Sequence, residues 1–406
     1  MIPFVLCRLL WRSIKAPAYR QRWHERFALY RAIYPQDVIW FHAVSVGEAE
    51  TLFPLVTTIQ QKYPNTKIVV TTTTPTGSAR VKAVLKDTVT HVYLPYDIPG
   101  AVNRFMVCFK PKLAVIMETE IWPNLFFSCA TNNIPLYMIN ARLSERSTRG
   151  YQKLSVLIKP ALAHVTIFAQ SQQDNDRFIA IGVNPQHVKT VGNMKFDLNS
   201  SSDNREQGLA IKAQLFKNRF VWLIASTHEG EEDIFLAIYK KIKPTIPELL
   251  LLIVPRHPER FLNVKKLCDY QQLKVATRTH KDSIDKNTDV YLLDTLGELR
   301  TFYGVADVAF VGGSMVPVGG HNILEAAAVG VPVMFGPFMA NFKAIAESVL
   351  ALDAAIQCQD NNALIKTIMT LYQHPDYRHS LAAKGKAFVE NNKGVCAKII
   401  EMLPLS

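Results

Sequence analysis

The sequence predicts an α/β protein built from two Rossmann-like domains, and three observations carry that prediction. Short apolar runs alternate with amphipathic stretches of about 10–20 residues, the pattern of parallel strands joined by crossover helices. A polar stretch at Asp197–Asn204, "DLNSSSDN", interrupts the series near its middle and leaves roughly 200 residues on each side. The 406 residues are 49% hydrophobic and 20% charged, the balance of a folded chain with enough length for two cores.

Each element follows from a local pattern. In the first half, predicted strands are Val38–Phe41, Lys67–Thr72, Val92–Tyr93, Leu113–Met117, Leu136–Ile139 and Ile167–Ala169. In the second they are Val221–Ile224, Leu250–Val254, Val290–Leu293, Val308–Val311 and Val331–Met334. Helical stretches separate most of them, and two more close the chain, at about 363–372 and 377–402. The expected division is a basic segment at 1–31, a first domain at 32–197, a linker at 198–204 and a second domain at 205–406. The last helix is free to pack back on the first domain. Sheets of this class collect ligands outside the carboxyl ends of their strands. Two domains facing each other across a cleft is the economical arrangement, and the turns after strands are where chemistry is expected.

The formal charge of +12 is unevenly placed. Residues 1–31 carry Arg8, Arg12, Lys15, Arg20, Arg22, Arg26 and Arg31 against Glu25 alone, interleaved with Leu9, Leu10, Trp11, Trp23 and Phe27. Arginines mixed with aromatic and aliphatic anchors suit an anionic bilayer surface. The opening apolar run, "MIPFVL", is far short of the about 20 residues that span a bilayer. The alternative is a basic amphipathic element packed on its own domain. No nucleic-acid-binding signature accompanies the charge. The six cysteines, at 7, 108, 129, 268, 358 and 396, form no metal-ligand spacing and read as reduced, cytosol-facing thiols.

Several motifs fall where strands end. "HAVSVGE" turns through small residues and places Glu48 in the first turn of a helix. There a carboxylate either caps the helix or stands ready to take a proton. "TTTTPTGSAR" is a hydroxyl-rich turn with Gly77 and Arg80, suited to a polar acceptor or simply to starting a helix at Pro75. "METEIWPN" sets Glu118 and Glu120 directly after a buried strand, and strand alternation would send them to opposite faces. "GNMKFD" offers Lys195 as an anion-holding cation or as a solvated lysine beside the linker. "IVPRHPER" places Arg256 after a strand, where a guanidinium can grip phosphate or carboxylate. The most specific motif is "FVGGSMVPVGGHNILEAA", a glycine loop opening a helix, with Glu325 in its first turn able to accept from ribose hydroxyls. It is neither GxGxxG nor a Walker A loop, and reads as a nucleotide-sugar pattern. "DND", Asp174 to Asp176, has the spacing of a metal site but follows Ser171 in a capping-box arrangement. "STHEGEE", Ser226 to Glu232, reads as a strand-to-helix turn rather than a metal site.

These motifs resemble, in order and nearly end to end, those of the Kdo transferases, which add 3-deoxy-D-manno-octulosonic acid to lipid A precursors in Gram-negative bacteria. The matching stretches include "APAYRQRWHERF", "HAVSVGE", "TTTTPTGS", "PKLAVIMETEIWPN", "NARLSERS", "VGNMKFD", "ASTHEGEE", "PRHPER", "GELRTFYGVADVAFVGGS" and "GGHNILEAA". The resemblance implies a GT-B fold. Its N-terminal domain takes the lipid IVA acceptor, its C-terminal domain takes CMP-Kdo, and the reaction inverts without a metal or other cofactor. It places the general base on Glu48 and transition-state stabilisation on Glu118 and Lys195. Donor contacts fall on Pro255 and Arg256, on Leu296, Gly297 and Glu298, and on Asn322, Ile323, Leu324 and Glu325. It further implies work at the cytoplasmic face of the inner membrane. Relatives usually open with a longer apolar segment than "MIPFVLC", which weakens the expectation of a spanning helix but not that of inner-membrane association.

The implied roles are chemically coherent. CMP leaves as a stable anion and needs positive surroundings, which the helix dipole, glycine-loop amides and Arg256 are expected to supply. A sugar hydroxyl is a poor nucleophile until a base takes its proton. The helix dipole would keep Glu48 ionised for that purpose. The rival readings are a UDP-sugar transferase or epimerase of the same architecture, separable by a CMP-versus-UDP binding test, and a non-catalytic lipid- or nucleotide-binding protein.

Overall fold

The computed structural model describes residues 17–197 and 201–405. The chain forms two compact units, dividing after Asp197 and again after Lys393, so that the last residues return to the first unit.

The first unit is built on seven parallel strands: β1 (Ile39–His42), β2 (Ile68–Thr72), β3 (Thr90–Tyr93), β4 (Leu113–Met117), β5 (Leu136–Ala141), β6 (Val165–Ala169) and β7 (Val188–Thr190). Their order is β3-β2-β1-β4-β5-β6-β7. The chain reverses its direction of growth between β1 and β4, the switch point where such sheets open a crevice beyond their strand ends. Helices cover both faces, so β1 is buried along its whole length. Trp40 packs with Phe105, Phe109 and Phe126 on one face, while Ile39 and Phe41 pack with Leu52, Val56 and Phe168 on the other. Three of the crossover helices, Pro75–Leu85, Pro99–Phe109 and Pro123–Thr131, start on proline, whose missing N–H costs nothing in a first turn.

The second unit has β8 (Phe220–Thr227), β9 (Leu249–Pro255), β10 (Val275–Thr277), β11 (Val290–Leu292), β12 (Val308–Val311), β13 (Val333–Phe335) and β14 (Ile356–Gln357), also all parallel. The order is β10-β11-β9-β8-β12-β13-β14, with β11 inserted between β9 and β10. Its switch point lies between β8 and β12.

Three expectations need correction. The serine-rich stretch at 198–204 is not all linker: a helix begins at Ser201 and runs to Ile211. Serine, aspartate and asparagine suit a helix start as well as a loop. The single closing helix expected at 377–402 is two, Pro375–Asn391 and Val395–Met402, because Gly394 takes φ +86 between them. The second of these belongs to the first unit, where Ile399 and Ile400 join the core around Phe41 and Val56. Burying each contributes about 1.5–3 kcal/mol. The Asp197 carboxylate caps this helix, accepting from the Gly394 amide at 2.7 Å and from that of Cys396. Strands β7, β10 and β14 were not anticipated. Each has two or three residues and lies at a sheet edge, too short to show a period.

The basic segment at 1–31 is described only from Pro17, and its Arg8, Arg12 and Lys15 lie outside the described residues. Beyond that point two arginines serve the fold rather than a membrane surface. Arg22 grips the buried Glu25 at 2.7 and 2.8 Å and donates to the His91 carbonyl. Arg26, 4% exposed, lies over the Tyr93 ring at 4.2 Å and donates to the Thr73 carbonyl. No helix among the described residues is long and apolar enough to cross a membrane. The five described cysteines are unpaired thiols.

Candidate active site

In the first unit the turn after β1 is locked from two sides. The Val44 carbonyl accepts from the hydroxyls of Thr73 and Thr74, and Thr74 in turn caps the helix Pro75–Leu85 through the Gly77 amide at 3.1 Å. A Cβ at Gly77 would meet Thr74 Oγ1 at 2.9 Å and the Ser45 carbonyl carbon at 3.4 Å, so glycine is needed here for close approach. "TTTTPTG" therefore braces the Glu48 turn, and Arg80 is paired with Glu50.

Glu48 is the third residue of the helix Val46–Lys62 and reaches back over its start. Its carboxylate accepts from the Val44 amide at 2.8 Å and from the Ser45 hydroxyl at 3.2 Å. The capping role is thus physically present. Its charge state departs from the expectation. Burial pushes the carboxyl up from 4.5 to about 7, and Glu118 and Glu120 add to the rise against the pull of the Val44 and Ser45 bonds. Desolvation outweighs the Val44 and Ser45 hydrogen bonds, so Glu48 holds its proton more tightly than a free carboxyl instead of being kept ionised.

The two glutamates after β4 do not separate as strand alternation would have it. The strand ends at Met117, and Glu118 takes φ +54, which breaks the alternation. Both carboxyls then act on Glu48. Glu118 accepts from Arg142 Nε at 2.9 Å, and Glu120 from Trp122 Nε1 at 3.1 Å. Burial raises the Glu120 carboxyl to about 7 as well.

Lys195 joins the same cluster. Burial lowers its pKa, and Glu118 and Glu48 oppose that shift, which places the ammonium within electrostatic reach of both. A network of amides sets its position. The irregularity in β5 puts Asn140 at φ +51, and its Oδ1 accepts from the Met194 amide at 3.0 Å. Gln170 ties the Asn140 carbonyl to the Asn193 side chain, whose Oδ1 holds the Lys195 amide at 2.9 Å. Glu48, Glu118 and Lys195 are therefore brought together. Glu120, Arg142 and Asn140 were not assigned roles from sequence, although all three stand in motifs that mark strand ends. Asp174 is committed to structure, accepting from the Leu143 and Ser171 backbone and side-chain donors at 2.9 and 2.5 Å.

In the second unit the glycine loop departs from expectation. The amides of Gly313, Ser314 and Met315 do not face outward for a phosphate. They donate to the carboxylate of Glu231 at 2.7, 3.1 and 3.0 Å, as does the His228 amide at 3.0 Å. Glu231 is 0% exposed. A buried carboxylate thus fills the anion site that the loop makes, and it fastens the end of β8 to the end of β12. Its neighbour Glu232 holds Arg260 by two bonds at 2.7 and 2.9 Å.

Arg256 differs from Arg260. Its amide is anchored on the Thr227 carbonyl after Pro255 ends β9, and its side chain is exposed. Around it stand His228, His257 and His321. Burial lowers the pKa of His321 to about 4 and lowers that of His228, with Arg256 contributing to both. Of the other expected donor contacts, Leu296 is exposed beside Gly297 at φ +86. Glu298 is paired with Arg278 at 2.7 Å, and Glu325 with Arg300 at 3.1 Å. Asn322 Oδ1 accepts from the Leu324 amide at 3.0 Å. Ile323 and Leu324 have buried side chains, which leaves their backbone as what a ligand could touch.

Residues 21–198 match the family described as "3-Deoxy-D-manno-octulosonic-acid transferase (kdotransferase)". The chain is 37% identical to the 3-deoxy-D-manno-octulosonic acid transferase of Haemophilus influenzae, over 99% of this chain and 95% of that one. The chain belongs to the Kdo transferases. It is 32% identical to the Bordetella pertussis member, over 90% of this chain and 86% of that one. A glycosyltransferase from Rickettsia africae superposes on 91% of the transferase with a TM-score of 0.59 at 13% identity, covering 98% of that chain. The UDP-GlcNAc 2-epimerase of Neisseria meningitidis superposes on 91% with a TM-score of 0.58 at 16% identity, covering 99% of that chain. The fold of the transferase is thus GT-B. The matched region holds the whole cluster of Glu48, Glu118, Glu120, Arg142 and Lys195.

Proposed function

We propose that this glycosyltransferase moves Kdo from CMP-Kdo to a sugar hydroxyl of lipid IVA, with inversion and without a metal ion, at the cytoplasmic face of the inner membrane. The observation that carries the reading is the Glu48 carboxyl, held by Val44 and Ser45 and tuned by burial to about 7. A general base works best when its pKa lies near the working pH, and such a group contributes typically about 10²–10⁴-fold. In this reading Glu48 takes the proton of the acceptor hydroxyl as that oxygen bonds to the anomeric carbon and the bond to CMP breaks. Kdo carries a carboxylate beside the reacting centre. Lys195 offsets that charge, and Glu118 fixes the ammonium between the carboxylates. Arg256 grips the CMP phosphate, with Pro255, the 296–298 turn and the 322–325 turn forming the rest of the nucleotide site.

Purified protein with CMP-Kdo generated in place and lipid IVA should give Kdo-bearing lipid by mass spectrometry, unaffected by EDTA. CMP, not UDP, should raise the melting temperature. A chain that is stabilised by UDP and makes no Kdo-lipid product would overturn the proposal.

A further inference from the structure

We propose that His228 and His321 form a proton-gated clamp for the phosphoryl group of the donor nucleotide, taking up a proton as that anion binds beside Arg256. The inference rests on the second unit holding CMP-Kdo. It adds two residues and a proton to that site.

The geometry begins with a 2.7 Å contact between His228 Nε2 and His321 Nε2. Two imidazole nitrogens facing each other at this distance share one proton, one donating and the other accepting. The rings lie nearly parallel, 8° apart, and both rest against Gly313, where an added Cβ would meet His321 Cδ2 at 3.1 Å and His228 Cδ2 at 3.3 Å. The glycine at φ +66 lets the pair close over the loop. Neither ring is sealed from solvent, and His257 stands edge-on to His228 at 5.5 Å.

The charges facing the pair come from three turns. The β8 turn supplies Glu232 and Glu231, the latter bonded to the His228 amide, the β9 turn supplies Arg256, His257 and Arg260, with Glu229 acting on Arg260, and the glycine loop supplies His321 itself. Both buried carboxylates among them are committed. Glu231 accepts from four backbone amides, and Glu232 accepts from Arg260 and the Thr227 hydroxyl. Burial first, then the neighbouring cations and imidazoles with Arg256 among them, disfavours the charged form of both histidines. A phosphate beside Arg256 reverses that balance, because an anion within a few ångströms favours the imidazolium. A proton that enters at the accepting Nε2 breaks the nitrogen-to-nitrogen bond, since both Nε2 atoms then carry hydrogen. Each becomes a donor free to turn to a phosphate oxygen. Proton and anion thus enter together, and release of the nucleotide returns the proton.

The test is calorimetric titration of the 406-residue protein with CMP at pH 7.5 in buffers of different ionisation enthalpy. At this pH the phosphate of CMP, with a second pKa of about 6, is already largely dianionic. The expected result is uptake of about 0.5–1 proton per CMP, with affinity falling up to about tenfold per pH unit as pH rises. Cytidine, which lacks the phosphate, should take up none. His228→Gln and His321→Gln should each abolish the uptake while leaving the melting temperature without ligand close to that of the wild type. Should either variant fail to fold, histidine ¹⁵N spectra of the wild-type protein take its place, with one imidazole of the pair moving to the imidazolium form on adding CMP. Binding without proton uptake, uptake that persists in both variants, or equal uptake with cytidine overturns the clamp and leaves the donor reading standing. Absence of CMP binding by the wild type overturns the donor reading and the clamp with it.

Discussion

Replacing Glu48 by glutamine removes a base and very little else. The amide oxygen still accepts from Val44, whose bond to the carboxylate is 2.8 Å, and the amide group fills the same volume. The helix start is therefore kept. What is lost is the proton acceptor, so transfer should fall by about 10²–10⁴, equivalent to about 3–5 kcal/mol of barrier. Stability should move the other way. The folded protein holds the Glu48 proton more tightly than the unfolded chain does, since burial lifts the carboxyl from 4.5 to about 7. The folded state then binds more protons across that window, and stability falls as pH rises through it. Above pH 7 ionised Glu48 costs about 3 kcal/mol, a cost that Glu48→Gln lacks. At pH 8 the variant should melt at or above the wild-type temperature and bind CMP with unchanged affinity, while forming almost no Kdo-lipid. The wild-type rate should rise with pH through about 7 as the base deprotonates, a limb absent from the residual activity of the variant. Initial rates by mass spectrometry, calorimetry with CMP and thermal melts at pH 5.5 and 8 measure all of this. A variant within tenfold of wild-type activity refutes the assignment of the base. A variant much less stable than wild type at pH 8 refutes the account of the buried charge.

Three further outcomes follow from particular contacts. Arg256→Ala should weaken CMP binding by about 10–100-fold by calorimetry, the range for losing a charge-assisted bond, with little change in stability because its guanidinium is exposed. Glu231→Ala should be the reverse, a folding defect first. Four backbone amides lose their acceptor, and urea unfolding of the second unit should show a loss of more than about 3 kcal/mol. Asp197→Ala uncaps the helix Val395–Met402 and should cost about 1–2 kcal/mol, seen as earlier hydrogen exchange in that helix with CMP binding unchanged.

Much of the architecture was legible because buried parallel strands carry a strong signal. Leu113–Met117 and Val308–Val311 match the predicted spans, since five or four consecutive apolar residues leave little choice once both faces are covered. Edge strands such as Ile356–Gln357 were not legible, because two residues carry no period. At the site, the positions of Glu48, Glu118 and Lys195 beyond strand ends could be read from the order of motifs. The state of the groups there could not. Two arginines stand in "PRHPER", and only contact with Glu232 shows that Arg260 is committed while Arg256 is exposed. The glycine loop read as an open anion site because nothing local reveals that Glu231, 82 residues earlier than Gly313, occupies it.

The sequence by itself determined the class of fold, the strand-end turns and the residue types placed on them, because these follow from periodicity and from the backbone freedom of glycine and proline. Tertiary structure alone decided which of those residues carry charge and which are already partnered. Desolvation and hydrogen bonding depend on what packs around a group in space. Glu48 takes its raised pKa from burial and from two glutamates about 70 residues away in the chain. His228 and His321, 93 residues apart, meet only because β8 and β12 lie side by side.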